Sequence, residues 1–193
     1  MKPLYLAPPV RAGLGACLRP GGLALTERIL DLAAPDKAGI VVDAGCGTGA
    51  SMTLLRQYGV RTVIGLDLEA DLLREAGQQH RHLARADLAQ LPLPDSCLAM
   101  ILCECVWNLT ERRQVLGEFA RALRPDGILA LTDVYARQGK NHDPPATWPM
   151  RCCFSQATDL ETVTELVAAA GFEVLTLEDH TRLLNRTAAA FVF

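Results

Sequence analysis

Three alternating glycines at the mouth of a buried strand constrain this chain more than any other feature. The segment Val41-Val-Asp-Ala-Gly-Cys-Gly-Thr-Gly-Ala-Ser51 sets Gly45, Gly47 and Gly49 directly after the apolar run Ile40-Val41-Val42. A short continuous apolar run bounded by turn signals is the pattern of a strand covered on both faces. A helical stretch follows to about Tyr58 and stops at Gly59. Glycines between a strand and a helix permit positive φ and let a ligand touch the backbone. The string Gly45-x-Gly47-x-x-Ala50 also fits the relaxed dinucleotide fingerprint. The glycines therefore predict a ligand-binding turn and leave the ligand open.

The rest of the chain repeats the strand-then-helix order. A helix is expected over Leu23 to Ala33, a second strand over Thr62 to Leu66, and a helix over Ala70 to Gln79. A weak third strand is expected over His82 to Ala86 and an apolar fourth over Leu98 to Cys103. Thr110 has the character of an N-cap for a helix with Leu116, Phe119, Ala120 and Leu123 on one face. Pro125-Asp126-Gly127 turns that helix into a strand over Ile128 to Leu131. A polar, proline-bearing loop spans Arg137 to Trp148. A helix carrying Leu160, Val163, Val167 and Ala170 ends at Gly171, and Phe172 to Leu177 reads as a sixth strand. The last residues suit either a helix or a seventh strand over Thr187 to Phe193. This alternation predicts a three-layer, doubly wound, Rossmann-like α/β fold, with a mostly parallel sheet and helices on both faces. Residues 1–37 would form an N-terminal arm and helix covering the ligand cleft of a single domain, with the core at 38–193.

Ligands in such sheets bind beyond the carboxyl ends of the strands, and two acids stand there. Asp43 ends the first strand and would repel a pyrophosphate but attract an ammonium or sulfonium. Asp67 ends the second strand 22 positions after Gly45, near the ~20 expected for an acid that takes ribose hydroxyls. Taken singly, Asp43 could brace a loop, Asp67 could cap a helix and Asp87 could sit in a turn. Together the first two describe a ligand with a ribose and a cationic tail but no phosphate, which is the description of S-adenosylmethionine.

The segment Asp43-x-Gly45-Cys-Gly47-Thr-Gly49 resembles the signature of class I S-adenosylmethionine-dependent methyltransferases. Val63 to Asp67, Ala86-Asp87-Leu88, Ala99 to Leu109 and Leu123 to Asp133 resemble the later motifs of that family in order, over roughly residues 38–178. The resemblance implies that Asp43 organises the methionyl amino end, Asp67 the ribose and Asp87 the adenine amine. It further places Gly45, Cys46, Gly47, Thr48, Gly49, Leu68, Leu88 and Cys103 around the cofactor. Asp126 stands where the family has a glycine, a change expected to alter a turn away from the site.

Methyl transfer is an in-line displacement that needs chiefly proximity and alignment. Glu104 and Cys105 follow the fourth strand, where the methyl group should point, and are the candidate catalytic residues. His142, Asp143 and His180 are further candidates for a base. Cys103-Glu-Cys105, Cys152-Cys153 and Thr132-Asp133-Val134 resemble the arsenite methyltransferases, and the same strand endings resemble enzymes that C-methylate quinone precursors. The first resemblance implies Cys105 with Cys152 or Cys153 as thiolate ligands of a metalloid such as arsenite. Against it stands the ordinary fate of a free cysteine, which is burial as a small hydrophobe. No C-x-x-C pairs with structural-zinc spacing are present.

Composition narrows the partners. The net charge of −3 and 5% aromatics argue against nucleic acid or an anionic membrane surface. No run approaches the ~18 apolar residues of a membrane span. Leu14-Gly15-Ala16-Cys17 resembles a lipoprotein cleavage box, but Pro8-Pro9 and Arg11 interrupt the apolar stretch a signal needs. Seven cysteines, an odd count, in a chain large enough to build a core suit free thiols in the cytoplasm. Oligomeric state is not encoded in any motif. The reading is thus a small-molecule methyltransferase. An NAD(P)-dependent oxidoreductase using Gly45 to Ala50 and a non-catalytic S-adenosylmethionine-binding module are the alternatives.

Overall fold

The computed structural model describes residues 4–137 and 152–189. A 3-10 turn at Leu4–Leu6 and helix α1 (Pro8–Leu14) form the arm, followed by α2 (Leu23–Ala33). The core then alternates β1 (Ile40–Ala44), α3 (Ala50–Gln57), β2 (Thr62–Asp67), α4 (Ala70–Ala76), β3 (Leu83–Arg85) and β4 (Leu98–Glu104). It continues with α5 (Arg112–Ala122), β5 (Leu123–Thr132), α6 (Leu160–Ala169) and α7 (Thr181–Ala189). The sheet order is β3-β2-β1-β4-β5, and every pairing is parallel. The order reverses between β1 and β4, so the crevice of the fold opens above their carboxyl ends.

Two-residue periodicity sorts the strand side chains into two cores. Val41, Val63, Met100 and Leu102 pack with Leu30 of α2 and with Met52 and Leu55 of α3. Val42, Ala44, Ile101 and Cys103 pack on the other face with Leu116 and Phe119 of α5 and Leu166 of α6. All seven β4 residues are buried, as a central strand of a covered parallel sheet must be. This is the three-layer α/β arrangement expected from the sequence.

Several expectations need correction. Phe172 to Leu177 forms no strand; the segment runs outside any ladder, with Leu175 78% and Leu177 61% exposed. Its apolar composition suits a strand, but a strand exists only when a neighbour accepts its ladder bonds, and among the described residues β5 is the edge. No seventh strand starts at Thr187, because Thr181–Ala189 is helical. Thr110 does not cap α5: its hydroxyl donates back to the Trp107 carbonyl at 2.8 Å, and Glu111 occupies the cap position. Asp126 lies in a bulge of β5 between the Leu98–Leu123 and Met100–Ile128 pairs, at the strand end away from the crevice. Most of the loop expected over 137–148, with His142 and Asp143, and the residues after 189 lie outside the described residues. No helix among the described residues is long and apolar enough to cross a membrane.

Candidate active site

The glycine turn builds the floor of a cavity of about 330 Å³ above the sheet. Gly45 N–H and Cys46 N–H both donate to the Leu66 carbonyl, at 2.7 and 2.9 Å, tying the turn to β2. All three glycines have positive φ. A Cβ on Gly45 would stand 2.3 Å from a Val106 methyl, and one on Gly49 would stand 2.5 Å from the His80 ring. A Cβ on Gly47 would meet only Leu18, at 3.8 Å. Two glycines are thus required by packing, and Gly47 is the one that leaves room for a ligand. Gly45, Cys46, Gly47 and Thr48 line the cavity, while Gly49 lies behind, against His80.

The acids occupy different levels. Asp67 lines the cavity; its carboxylate accepts Gly47 N–H and Glu69 N–H, each at 2.8 Å, and so joins the turn to the end of β2. Asp87 also lines it and accepts Ala89 N–H at 2.9 Å. Leu68 and Leu88 flank these acids, Leu68 55% exposed and Leu88 buried. Asp43 differs from the sequence expectation because it lies beneath the cavity rather than in its wall. It is 3% exposed, and its Oδ2 has no hydrogen-bond partner. Burial, reinforced by Glu104, pushes its carboxyl up to about 7, with Arg19 opposing.

Glu104 ends β4 on the α2–α3 side and is buried. Its carboxylate pairs with Arg19 at 2.8 Å and accepts the Thr26 hydroxyl at 3.0 and 3.1 Å and the Ser51 hydroxyl at 2.9 Å. A carboxylate with this many donors is an anchor for the arm more than a free base. Arg19, Thr26 and Ser51 escaped the sequence reading because they converge from the arm, α2 and α3, with no local pattern to mark them. Tyr5, Ala16, Cys17, Leu18 and Arg19 line the same cavity from above. The arm is further held by an Arg11–Glu75 pair at 2.6 Å and by the Thr48 hydroxyl donating to the Ala16 carbonyl at 2.7 Å.

The cysteines separate clearly. Cys103 is fully buried on the α5 face, so the alternation of β4 turns it away from the cavity assigned to it. Cys46 lines the cavity, and burial raises its thiol pKa. Cys105 follows β4 with φ +57 and donates its N–H to the Thr132 carbonyl at 2.7 Å. Its thiol is hydrogen-bonded to that of Cys153, which raises its pKa together with burial. Cys152 instead starts the turn over Cys153–Gln156, its backbone N–H donating to the Ser155 hydroxyl at 3.2 Å and its carbonyl accepting from that hydroxyl at 2.8 Å. Of the two cysteines weighed as partners of Cys105, Cys153 is the one in contact.

A second cavity of about 450 Å³ lies over the ends of β4 and β5, walled by Trp107, Leu131, Asp133, Tyr135, Leu183 and Leu184. Cys105 lines both cavities. His180 also lines the second, 2.9 Å from Glu178, which in turn binds Arg28. The arrangement is an acid-bearing cavity beside a more apolar one that shares Cys105 with it, which gives room for two ligands side by side.

The chain is similar to known proteins in sequence and in fold. Residues 42–131 match the profile of a family described as a methyltransferase domain. The chain is 32% identical over 177 residues to Methyltransferase GfsG of Streptomyces halstedii, covering 84% of this chain and 63% of that protein. It is 42% identical over 113 residues to a malonyl-(acyl-carrier protein) O-methyltransferase of Pectobacterium atrosepticum, covering 54% and 42%. The chain spans about half the length of the curated relatives it matches. Phosphoethanolamine N-methyltransferase 2 of Haemonchus contortus, solved with S-adenosyl-L-methionine, superposes with a TM-score of 0.74 at 18% identity, over 95% of this chain and 45% of that one. The (4+2)-cyclase SpnF superposes with a TM-score of 0.74 at 24% identity, over 87% and 64%.

Proposed function

We propose that the chain is a class I S-adenosylmethionine-dependent methyltransferase that transfers a methyl group to a small molecule, a reading supported by the match of residues 42–131 to a methyltransferase-domain profile and by the relative 32% identical over 177 residues. The observation that carries the reading is the pair of cavities meeting at Cys105. The first suits an adenosyl ligand. Asp67 would take the ribose hydroxyls with its remaining lone pairs, and Asp87 the adenine amine. Gly47, with no side chain in the way, would let the ligand lie against the backbone. Asp43, once ionised above about pH 7, would put negative charge under the position of an ammonium, where a dinucleotide would put phosphates. The ligand brings an electrophilic methyl group; the chain's part is to hold the acceptor in line with it. Glu104 serves by fixing Arg19 and the arm over the cavity. Cys105, at the junction, would touch both reactants.

The acceptor in this reading is a small molecule with an apolar body. The relatives' printed substrates, a malonyl-(acyl-carrier protein) and trans-aconitate, bear carboxyl groups, which are ionised near neutral pH and need no base. A thiol-bound metalloid such as arsenite is a second reading, favoured by the Cys105–Cys153 contact. Turnover on an acceptor panel containing carboxylic acids, quinone precursors, thiols and arsenite tests both, read as release of S-adenosylhomocysteine. Product with a carboxylic acid supports the first. Arsenite-dependent release lost in Cys105→Ser supports the second. Cofactor binding without release on any acceptor favours a non-catalytic module, and nicotinamide dinucleotide binding favours an oxidoreductase.

A further inference from the structure

Cys105, Asp133 and Cys153 come from three separate segments, after β4, after β5 and before α6. Their two sulfurs and a carboxylate oxygen nevertheless lie within 4.8 Å of one another. The cluster is held by its neighbours. Buried Asn108 donates from its side chain to Asp133 Oδ1 at 2.9 Å, to the Val134 carbonyl at 2.6 Å and to the Cys153 carbonyl at 3.3 Å. Its backbone N–H donates to Asp133 Oδ2 at 2.9 Å. One residue thereby fixes both the carboxylate and the strand of chain that carries the second thiol. The Cys105 backbone is itself in the left-handed region, which a non-glycine residue adopts at a cost.

We propose that these three residues form a binding site for a soft divalent cation, Zn²⁺ being the best match. Two thiolates and one carboxylate make a mixed soft-and-hard donor set suited to Zn²⁺, with Zn–S bonds near ~2.3 Å and Zn–O near ~2.0–2.2 Å. Each thiol gives up its proton to solvent as the cation binds, so occupancy strengthens with pH. Asn108 supplies the outer support that orients a ligating carboxylate. Three protein ligands leave the fourth tetrahedral position open. Cys105 and Asp133 line the second cavity, so that position faces the acceptor side. A cation there would offer a coordination site to an acceptor with a thiol or another soft donor. The site stands on the donor geometry alone; only the role offered for its open position rests on the methyl-transfer reading.

Co²⁺ reports thiolate ligation by charge-transfer absorption and is the probe. The reduced full chain should bind one equivalent with a sulfur-to-metal band and tetrahedral visible bands, both bleached by Zn²⁺. Cys105→Ser and Cys153→Ser should each abolish the band while circular dichroism shows the fold intact. Cys97→Ser, whose thiol contacts the Pro94 carbonyl elsewhere, should leave the band unchanged. Asp133→Asn, which replaces a ligating carboxylate, should weaken binding by more than the ~10-fold typical of losing an outer-shell partner. Absence of any band in the wild type, or a band that survives in either of the two serine variants, overturns the site.

Discussion

Asp43 carries conflicting demands. It is buried without a partner for Oδ2, beside Glu104, and its carboxyl titrates at about 7. An unfolded aspartate titrates near ~3.9, so the native state holds the extra proton between those values. Stability from this group is therefore full below about pH 4 and is lost as pH rises toward 7. Asp43→Asn should stabilise the empty protein at pH 8, by roughly 2–4 kcal/mol, measured by denaturant unfolding; unchanged stability would show that the carboxyl is not strained. Ligand binding should run the other way. Only the ionised carboxylate attracts an ammonium, so the affinity for S-adenosylhomocysteine should rise as pH increases through about 7 and should lose that rise in Asp43→Asn. At this scale the acids at strand tips were legible in the sequence because each follows an apolar run. That Asp43 sits below the cavity was not, since depth depends on what packs above it.

The glycine turn between β1 and α3 is an element whose positions do different work. Gly45→Ala would drive a Cβ into Val106 at a φ of +82, so it should lower stability by about 2 kcal/mol or more. Gly47→Ala meets only Leu18, at the ordinary contact distance of 3.8 Å, and should cost only ~1 kcal/mol. Its larger effect should be at least a tenfold loss of S-adenosylhomocysteine affinity. Thermal unfolding and calorimetry on both variants separate the two roles; the reverse ranking in stability would contradict the packing. The turn was readable because its glycines follow a strand. The segment Phe172 to Leu177 carries an equally apolar pattern but forms no strand. Pattern reports what a segment could bury, and pairing depends on a neighbour elsewhere in the chain.

Across the whole molecule, one buried cluster joins parts that are distant in sequence. Glu104 binds Arg19 of the arm, Thr26 of α2 and Ser51 of α3, so it links the roof of the cavity to its floor. Glu104→Gln would leave the half-buried Arg19 without its counter-charge, and should destabilise by about 2–3 kcal/mol, below the ~3–5 kcal/mol of a fully buried pair because Arg19 also faces the cavity. A variant with unchanged unfolding but lost turnover would instead make Glu104 a group of the reaction. No sequence rule could have assembled this cluster, whereas the layer order followed directly from the alternation of strands and helices.

The account rests on acids above a parallel sheet holding an adenosyl ligand, and calorimetric titration of the wild type and Asp67→Ala tests it most directly. S-adenosylhomocysteine should bind the wild type one to one and the variant more weakly by ~1–3 kcal/mol, with no heat from NAD or NADP. Equal affinity in the two proteins, or binding of a nicotinamide dinucleotide in place of S-adenosylhomocysteine, would contradict it.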